Sequence, residues 1–189
     1  MILPVYLYGH PVLRKETKDV PPDYPNLNKL IEDMFETMYN AEGVGLAAPQ
    51  IGLEDRILVL DLSALAKDDP AFAGFKKTLI NAHIIERDGE EKSVEEGCLS
   101  IPNVHEKVPR KNRIRIQYLD ENLQPHDEVY EGYKARVIQH EYDHLDGILF
   151  VDRISGIRKQ MIRSALNKIM TGNVKCSYKV KALRKKISP

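Results

Sequence analysis

Apolar residues recur at intervals of three and four between residues 26 and 40, where Leu27, Leu30, Ile31, Met34, Phe35 and Met38 share one face of an α-helix. That face predicts a first helix packed on a core, entered after the structure-breaking stretch VPPDYP. The pattern then changes. RILVLD (56–61), TLINAHIIER (78–87), RIRIQYLD (113–120) and DEVYE (127–131) predict strands, with RDGE and DENLQP as turns. Between the first two strands, LSALAKDDPAFAGFKK reads as a surface insertion. Residues 133–146 predict a second helix, preceded by Gly132 and stopped by Gly147. Over 154–170, Ile157, Met161, Ala165, Leu166 and Ile169 mark one side of a third. Mixed elements in this order, without βαβ alternation, predict an α+β protein.

A chain of 189 residues suits one domain over 1–189, since two would leave each with a meagre core. At 42% hydrophobic and 30% charged residues, the composition is that of an ordinary globular protein. The apolar runs are too short to span a bilayer, so no membrane partner is expected. The opening MILPVYLYGHPVLRK carries neither a basic leader nor a cleavage site, and a cytoplasmic, bacterial protein is expected. Two cysteines, Cys98 and Cys176, are too few for a disulfide scaffold and suit a reducing compartment. A formal net charge of zero conceals an asymmetry. Residues 153–189 hold 11 of the 28 Lys and Arg and none of the 28 Asp and Glu. This basic C-terminal region, with a tail from about 172 to 189, suits either an anionic partner such as RNA or a solvated helix face.

The segment VIQHEYDHLDG (137–147) carries the clearest chemistry. On a helix, His140 and His144 lie one turn apart on the same face and can aim at a single ion, with Glu141 beside them to handle the proton of a water. The alternative is a polar helix face in solvent, or histidines satisfied inside the core. An open catalytic site needs a third protein ligand, and no histidine follows His144. Upstream, EEGCLSIP (95–102) offers Cys98. A thiolate with two imidazoles suits iron(II), cobalt(II), nickel(II) or zinc(II), whereas Cys98 taken alone reads better as an inert small buried residue, the usual fate of a free cysteine. A third stretch, GVGLAAPQ (43–50), combines glycines that allow close backbone approach with the amide donor of Gln50.

Together, GVGLAAPQ, EGCLS and QHEYDH resemble the three signatures of the peptide deformylase family, and GHPVLR resembles its N-terminal pattern. The likeness covers about residues 5–165. It implies mixed or antiparallel β-sheets packed around a central metal-binding helix, with an N-terminal and a C-terminal helix. It implies a hydrolase that removes the formyl group from the N-terminal methionine of newly made proteins. The ligands would be Cys98, His140 and His144, and the ion natively Fe2+, replaceable by Zn2+, Ni2+ or Co2+. Gln50, Leu99 and Glu141 match the family's other catalytic positions. Gly43, Val44, Gly45, Val94, Glu96, Gly97, Tyr133 and Val137 match positions around the substrate, with core packing the alternative for the valines. Arg110 would pair with Asp143, unless it is a plain surface arginine. The chain departs from the pattern at His105, where relatives often carry arginine, and in the tail beyond 172, for which no counterpart is evident. N-formylmethionyl nascent peptides are the implied partners, and the basic tail would aid docking at the ribosome.

Two other readings compete. A metallopeptidase of the H-E-x-x-H class is disfavoured by the missing downstream ligand. A non-catalytic metal or RNA-binding protein has no use for Glu141, because a structural site fills its fourth position with protein.

Overall fold

The structure is a computed structural model that describes residues 1–183. The first predicted helix is α1 (Leu27–Asn40). Five strands form an antiparallel sheet in the order β2 (Gly45–Ala47), β3 (Ile57–Asp61), β4 (Lys76–Cys98), β5 (Ile101–Leu119) and β6 (Pro125–Glu131). Two helices follow, α2 (Gly132–Leu145) and α3 (Gly156–Met170). At the chain's ends, β1 (Val5–Tyr6) pairs in parallel with β7 (Val180–Lys181). The α+β architecture is therefore as expected, with α2 at its centre.

Strand β3 shows why the layers stack as they do. Alternate side chains of a strand face opposite ways. Leu58 and Leu60 pack under α2 with Ile114, Ile116, Ala135 and Ile138. Ile57 and Val59 face the other way, against Ile31, Met34 and Met38 of α1. A third cluster joins Ile101, Val104 and Val108 of β5 to Leu166 and Ile169 of α3. The sheet is thus covered by α1 on one face and α2 on the other, and α3 packs at the far end of the long β4–β5 hairpin.

Three expectations need correction. RDGE is not a turn: β4 runs through it and on to Cys98, with a register shift between Asp88 and Glu91. Gly89 takes a left-handed backbone there (φ +77°), which marks a bulge inside a strand. Strand β5 likewise starts at Ile101 rather than near 113. The basic tail, read only as charged, packs on the domain as far as it is described. Val174, Val180 and Ala182 pack on the third cluster, and main-chain bonds run from Val5 N to Lys179 O and from Leu7 N to Lys181 O. The remaining residues of the expected tail, 184–189, lie outside the described residues. No helix among the described residues is long and apolar enough to cross a membrane.

Gly147 ends α2 as the sequence predicts. It takes φ +72°, and the bonds Gly147 N to His144 O and Ile148 N to Asp143 O form a Schellman cap. A side chain could not stand there, because its Cβ would come 2.6 Å from the carbonyl oxygen of Arg14.

Candidate active site

Helix α2 is rich in polar residues and yet buried, with Arg136, Gln139, Glu141, Asp143 and His144 all withdrawn from solvent. Polar groups survive burial only when partnered, so their partners define what the helix is for. Arg136 donates to Glu96 Oε2 (2.6 Å) and to the carbonyls of Val108 and Lys92, and Gln139 donates to the carbonyl of Lys111. These contacts fix α2 against the β4–β5 hairpin.

That docking brings Cys98, the last residue of β4, to the histidines. One ligand atom each from Cys98, His140 and His144 lies within 4.8 Å of the others, with Cys98 Sγ 3.3 Å from His144 Nε2. The two imidazole rings stand 5.4 Å apart at 75°. Glu96 Oε1 engages His140 Nδ1 at 2.8 Å, which leaves the opposite ring nitrogen to face the cluster. The same Glu96 takes two bonds from Arg110, at 2.6 and 2.9 Å, while Arg110 Nη1 reaches Asp143 Oδ2 at 2.8 Å. Arg153 completes the set with two bonds of 2.6 Å to Asp143. Removing one member of such a buried network typically costs about 3–5 kcal/mol, because it strands the opposite charge.

The titrating groups respond to this setting. Burial alone would raise the Glu96 carboxyl, but hydrogen bonds from His140 and Arg110 prevail and hold it at about 2. Burial would lower His140, but its contacts with Cys98 and Glu96 hold it well above its ordinary value. Burial, reinforced by the positive charge of His140, drives His144 well below it. Burial pushes Glu141 up to about 7, and its Oε2 has no protein partner.

The donor set fits a divalent cation of borderline softness: one thiol sulfur and two imidazole nitrogens converge on one point, with a carboxylate orienting one ring from behind. Ligation requires neutral rings and a thiolate, so binding expels protons that the cluster otherwise keeps.

In front of this cluster lies a cavity of about 550 Å³. Gln50 points its Nε2 into it, 3.2 Å from Ser100 Oγ and 3.5 Å from Cys98 Sγ, because its Oε1 is held by the backbone N–H of Ala47 at 2.9 Å. The glycines of GVGLAAPQ lie close against the site, Gly45 most tightly. A Cβ at Gly45 would come 2.5 Å from Glu141 Oε1, and one at Gly43 would come 2.8 Å from Leu99 Cδ1. A Cβ on Gly97 would likewise meet His105 at 2.8 Å.

Most residues singled out in the sequence border this cavity: Gly43, Val44, Gly45, Gln50, Glu96, Gly97, Cys98, Leu99, Tyr133, Val137, His140 and Glu141. His144 sits behind the wall, 1% exposed. Val94 does not border the cavity and is 41% exposed, so the expectation that places it near the substrate is corrected. Glu96 borders the cavity, but its carboxylate is turned to His140 and the two arginines. Arg110 pairs with Asp143 as one reading expected and is buried, so it is no surface arginine. Sequence reasoning missed Arg136 and Arg153, for which no motif stands out, and gave no role to Ser100 although it closes the EGCLS signature. It also missed Lys175, Cys176, Ser177 and Tyr178, which close one side of the cavity. A signal for these last existed: Val174, Cys176, Tyr178, Val180 and Ala182 alternate with polar residues at strand spacing.

Comparison with known proteins agrees with this geometry. Residues 2–160 match the family model described as polypeptide deformylase. Peptide deformylases of Christiangramia forsetii and Flavobacterium johnsoniae are each 50% identical over 188 residues, covering 96% of this chain and 96% of each relative. That coverage is too large to leave out the whole tail from residue 172, so the segment without an evident counterpart is matched at least in part. Among solved structures, peptide deformylase from Thermus thermophilus superposes with a TM-score of 0.79 at 41% identity, covering 89% of this chain and 98% of that one. The enzyme from Legionella pneumophila gives 0.78 at 39% identity, covering 89% and 95%. With the family model spanning most of the chain and close relatives matched nearly end to end, this chain belongs to the polypeptide deformylase family.

Proposed function

We infer that the protein is a metal-dependent hydrolase that removes the formyl group from the N-terminal methionine of newly synthesised proteins, releasing formate. The observation that carries this reading is the meeting, at the wall of one cavity, of a thiol and two imidazoles with a buried carboxylate that has a free oxygen. Cys98, His140 and His144 would hold one divalent ion, Fe2+ in the native enzyme, with Zn2+, Ni2+ and Co2+ as substitutes. When bound, such an ion supplies Lewis acidity that polarises the formyl oxygen and lets water ionise near neutral pH.

The chain's own residues do the rest. Glu141 accepts a proton from the attacking water and returns it to the departing nitrogen, a double duty that its raised proton affinity suits. As negative charge collects on the former carbonyl oxygen, the backbone N–H of Leu99 and the Nε2 of Gln50 donate to it. Each such donor typically lowers the barrier by about 3 kcal/mol. Gly43, Val44 and Gly45 crowd the formyl position and leave no room for the methyl of an acetyl group. Their backbone, with that of Gly97, pairs with an extended peptide, so that main chain is read rather than sequence. Tyr133 and Val137 receive the methionine side chain. Iron-loaded protein is expected to release formate from formyl-Met peptides and to leave acetyl-Met peptides intact. Absence of formate release, or equal turnover of both peptides, would overturn the reading.

The exposed cations Lys159, Arg163 and Lys168 of α3 give the basic C-terminal region an RNA-facing surface for docking at the ribosome. In co-sedimentation at low salt, the double variant Arg163→Glu, Lys168→Glu is expected to bind ribosomes more weakly. Unchanged binding would remove this partner.

A further inference from the structure

The segment Lys175–Tyr178 forms one side of the cavity although it belongs to no signature of the site. It is anchored at both ends. Val174 packs on the α3 cluster before it, and β7 pairs with β1 after it. Asn103 Nδ2 donates to the Lys175 carbonyl at 3.4 Å, and Lys181 Nζ lies 4.8 Å over the Tyr6 ring and donates to its hydroxyl. From this strap the Tyr178 hydroxyl donates to the carbonyl oxygen of Leu99 at 2.7 Å.

Leu99 occupies an unusual turn. Cys98 pairs directly with Ile101, so Leu99 and Ser100 alone connect β4 to β5. Two-residue hairpin loops favour left-handed backbone, because that matches the twist of the flanking strands. Neither Leu99 nor Ser100 takes it. The turn therefore leans on partners from elsewhere in the chain: Tyr8 N–H donates to the Ser100 carbonyl (2.8 Å), Gln50 Nε2 donates to Ser100 Oγ (3.2 Å), and Tyr178 holds the Leu99 carbonyl. The Leu99 carbonyl and N–H lie in adjacent peptide planes joined at one Cα, so a tether on the carbonyl narrows the range of directions open to the N–H.

We propose that Tyr178, on the C-terminal strap, is a positioning residue for deformylation: by holding the Leu99 carbonyl it aims the Leu99 N–H at the developing oxyanion, and the strap is part of the catalytic cleft. This rests on the deformylase reading above. Tyr178 does not itself touch the reacting atoms. A loosened donor costs less than a deleted one, whose loss typically costs about 10²–10³ in rate.

The test is Tyr178→Phe, which keeps the ring and removes only the hydroxyl. In metal-loaded enzyme acting on a formyl-Met peptide, kcat is expected to fall about 10-fold, with KM within about two-fold and with metal content and melting temperature unchanged. In parallel, the Leu99 amide in the 15N–1H spectrum of the zinc-loaded variant is expected to shift and broaden, while amides of α1 stay in place. An unchanged kcat overturns the proposal. So does a loss of kcat that merely tracks lost metal or lost stability, since that marks a structural role. The amide spectrum separates this proposal from the one beneath it. If the wild-type protein releases no formate, the deformylase reading fails, whereas an unmoved Leu99 amide in the variant defeats the positioning role alone.

Discussion

Cys98→Ala protein, purified without oxygen, is expected to carry no stoichiometric divalent ion and to release no formate. The prediction follows from how few ligands there are. Among the described residues, only Cys98, His140 and His144 form a cluster that could hold an ion. Losing an outer-shell partner of a metal site typically costs about 10–100-fold in affinity, and loss of one of three direct ligands should exceed the upper end of that range. The fold should survive. Cys98 is partly exposed at the end of a strand, and the bonds that dock α2 on the hairpin come from Arg136 and Gln139 instead. Elemental analysis with circular dichroism checks both halves. A folded variant with full metal content would remove Cys98 from the ligand set.

Glu141→Gln gives the complementary result: metal retained, activity lost. The substitution preserves shape beside Gly45, where a Cβ would already come 2.5 Å from Glu141 Oε1, but it removes the base. Loss of a positioned general acid–base typically costs about 10²–10⁴ in rate. Its pH dependence has a definite sign. The carboxylate form is the active one, so the rate rises as pH climbs through the Glu141 pKa and falls below it. Burial places that pKa at about 7 in the protein alone. A bound cation favours the ionised form, so the acid limb of the metal-loaded enzyme should lie below that value. Formate-release kinetics across pH check the prediction. A Gln variant retaining more than about a tenth of wild-type kcat would remove Glu141 as the base.

Helix α1 was legible because burial and periodicity coincide in it, whereas Ile157 and Met161, expected on the apolar side of α3, are exposed. Met34 and Met38 of α1 are fully buried, as their spacing along the chain already implies. The long hairpin was not, for two physical reasons. Along the first half of β5 the buried positions include Pro102, Val104, Glu106, Val108 and Arg110. Two of these five are charged, and they are buried because Glu106 meets Arg158 and Arg110 meets Glu96 and Asp143. An alternation rule that counts only apolar residues cannot see a strand whose inner face is partly ionic. The second half of β4 has the opposite problem: residues 86–95 are exposed throughout, so no buried face exists to leave a pattern.

The site divides in the same way. His140, Glu141 and His144 declare themselves by helical spacing, and Cys98 by its motif. The roles of the service residues behind them carry no such mark, even where a residue such as Glu96 lies within a signature. Glu96 is one acid among Glu90, Glu91, Glu95 and Glu96, and only the fold shows that it alone meets His140, Arg110 and Arg136. The charge count that marked the C-terminal region as a basic arm also hid its second character. The lysines Lys175, Lys179 and Lys181 occupy the exposed positions of an extended segment whose other side packs on the domain and borders the cleft.

The most direct test of the account is X-ray absorption at the metal edge of anaerobically purified wild-type protein. One sulfur and two imidazole nitrogens around a single divalent ion per chain is the expected result. A metal environment of nitrogen and oxygen only, in protein that nevertheless releases formate, would contradict it.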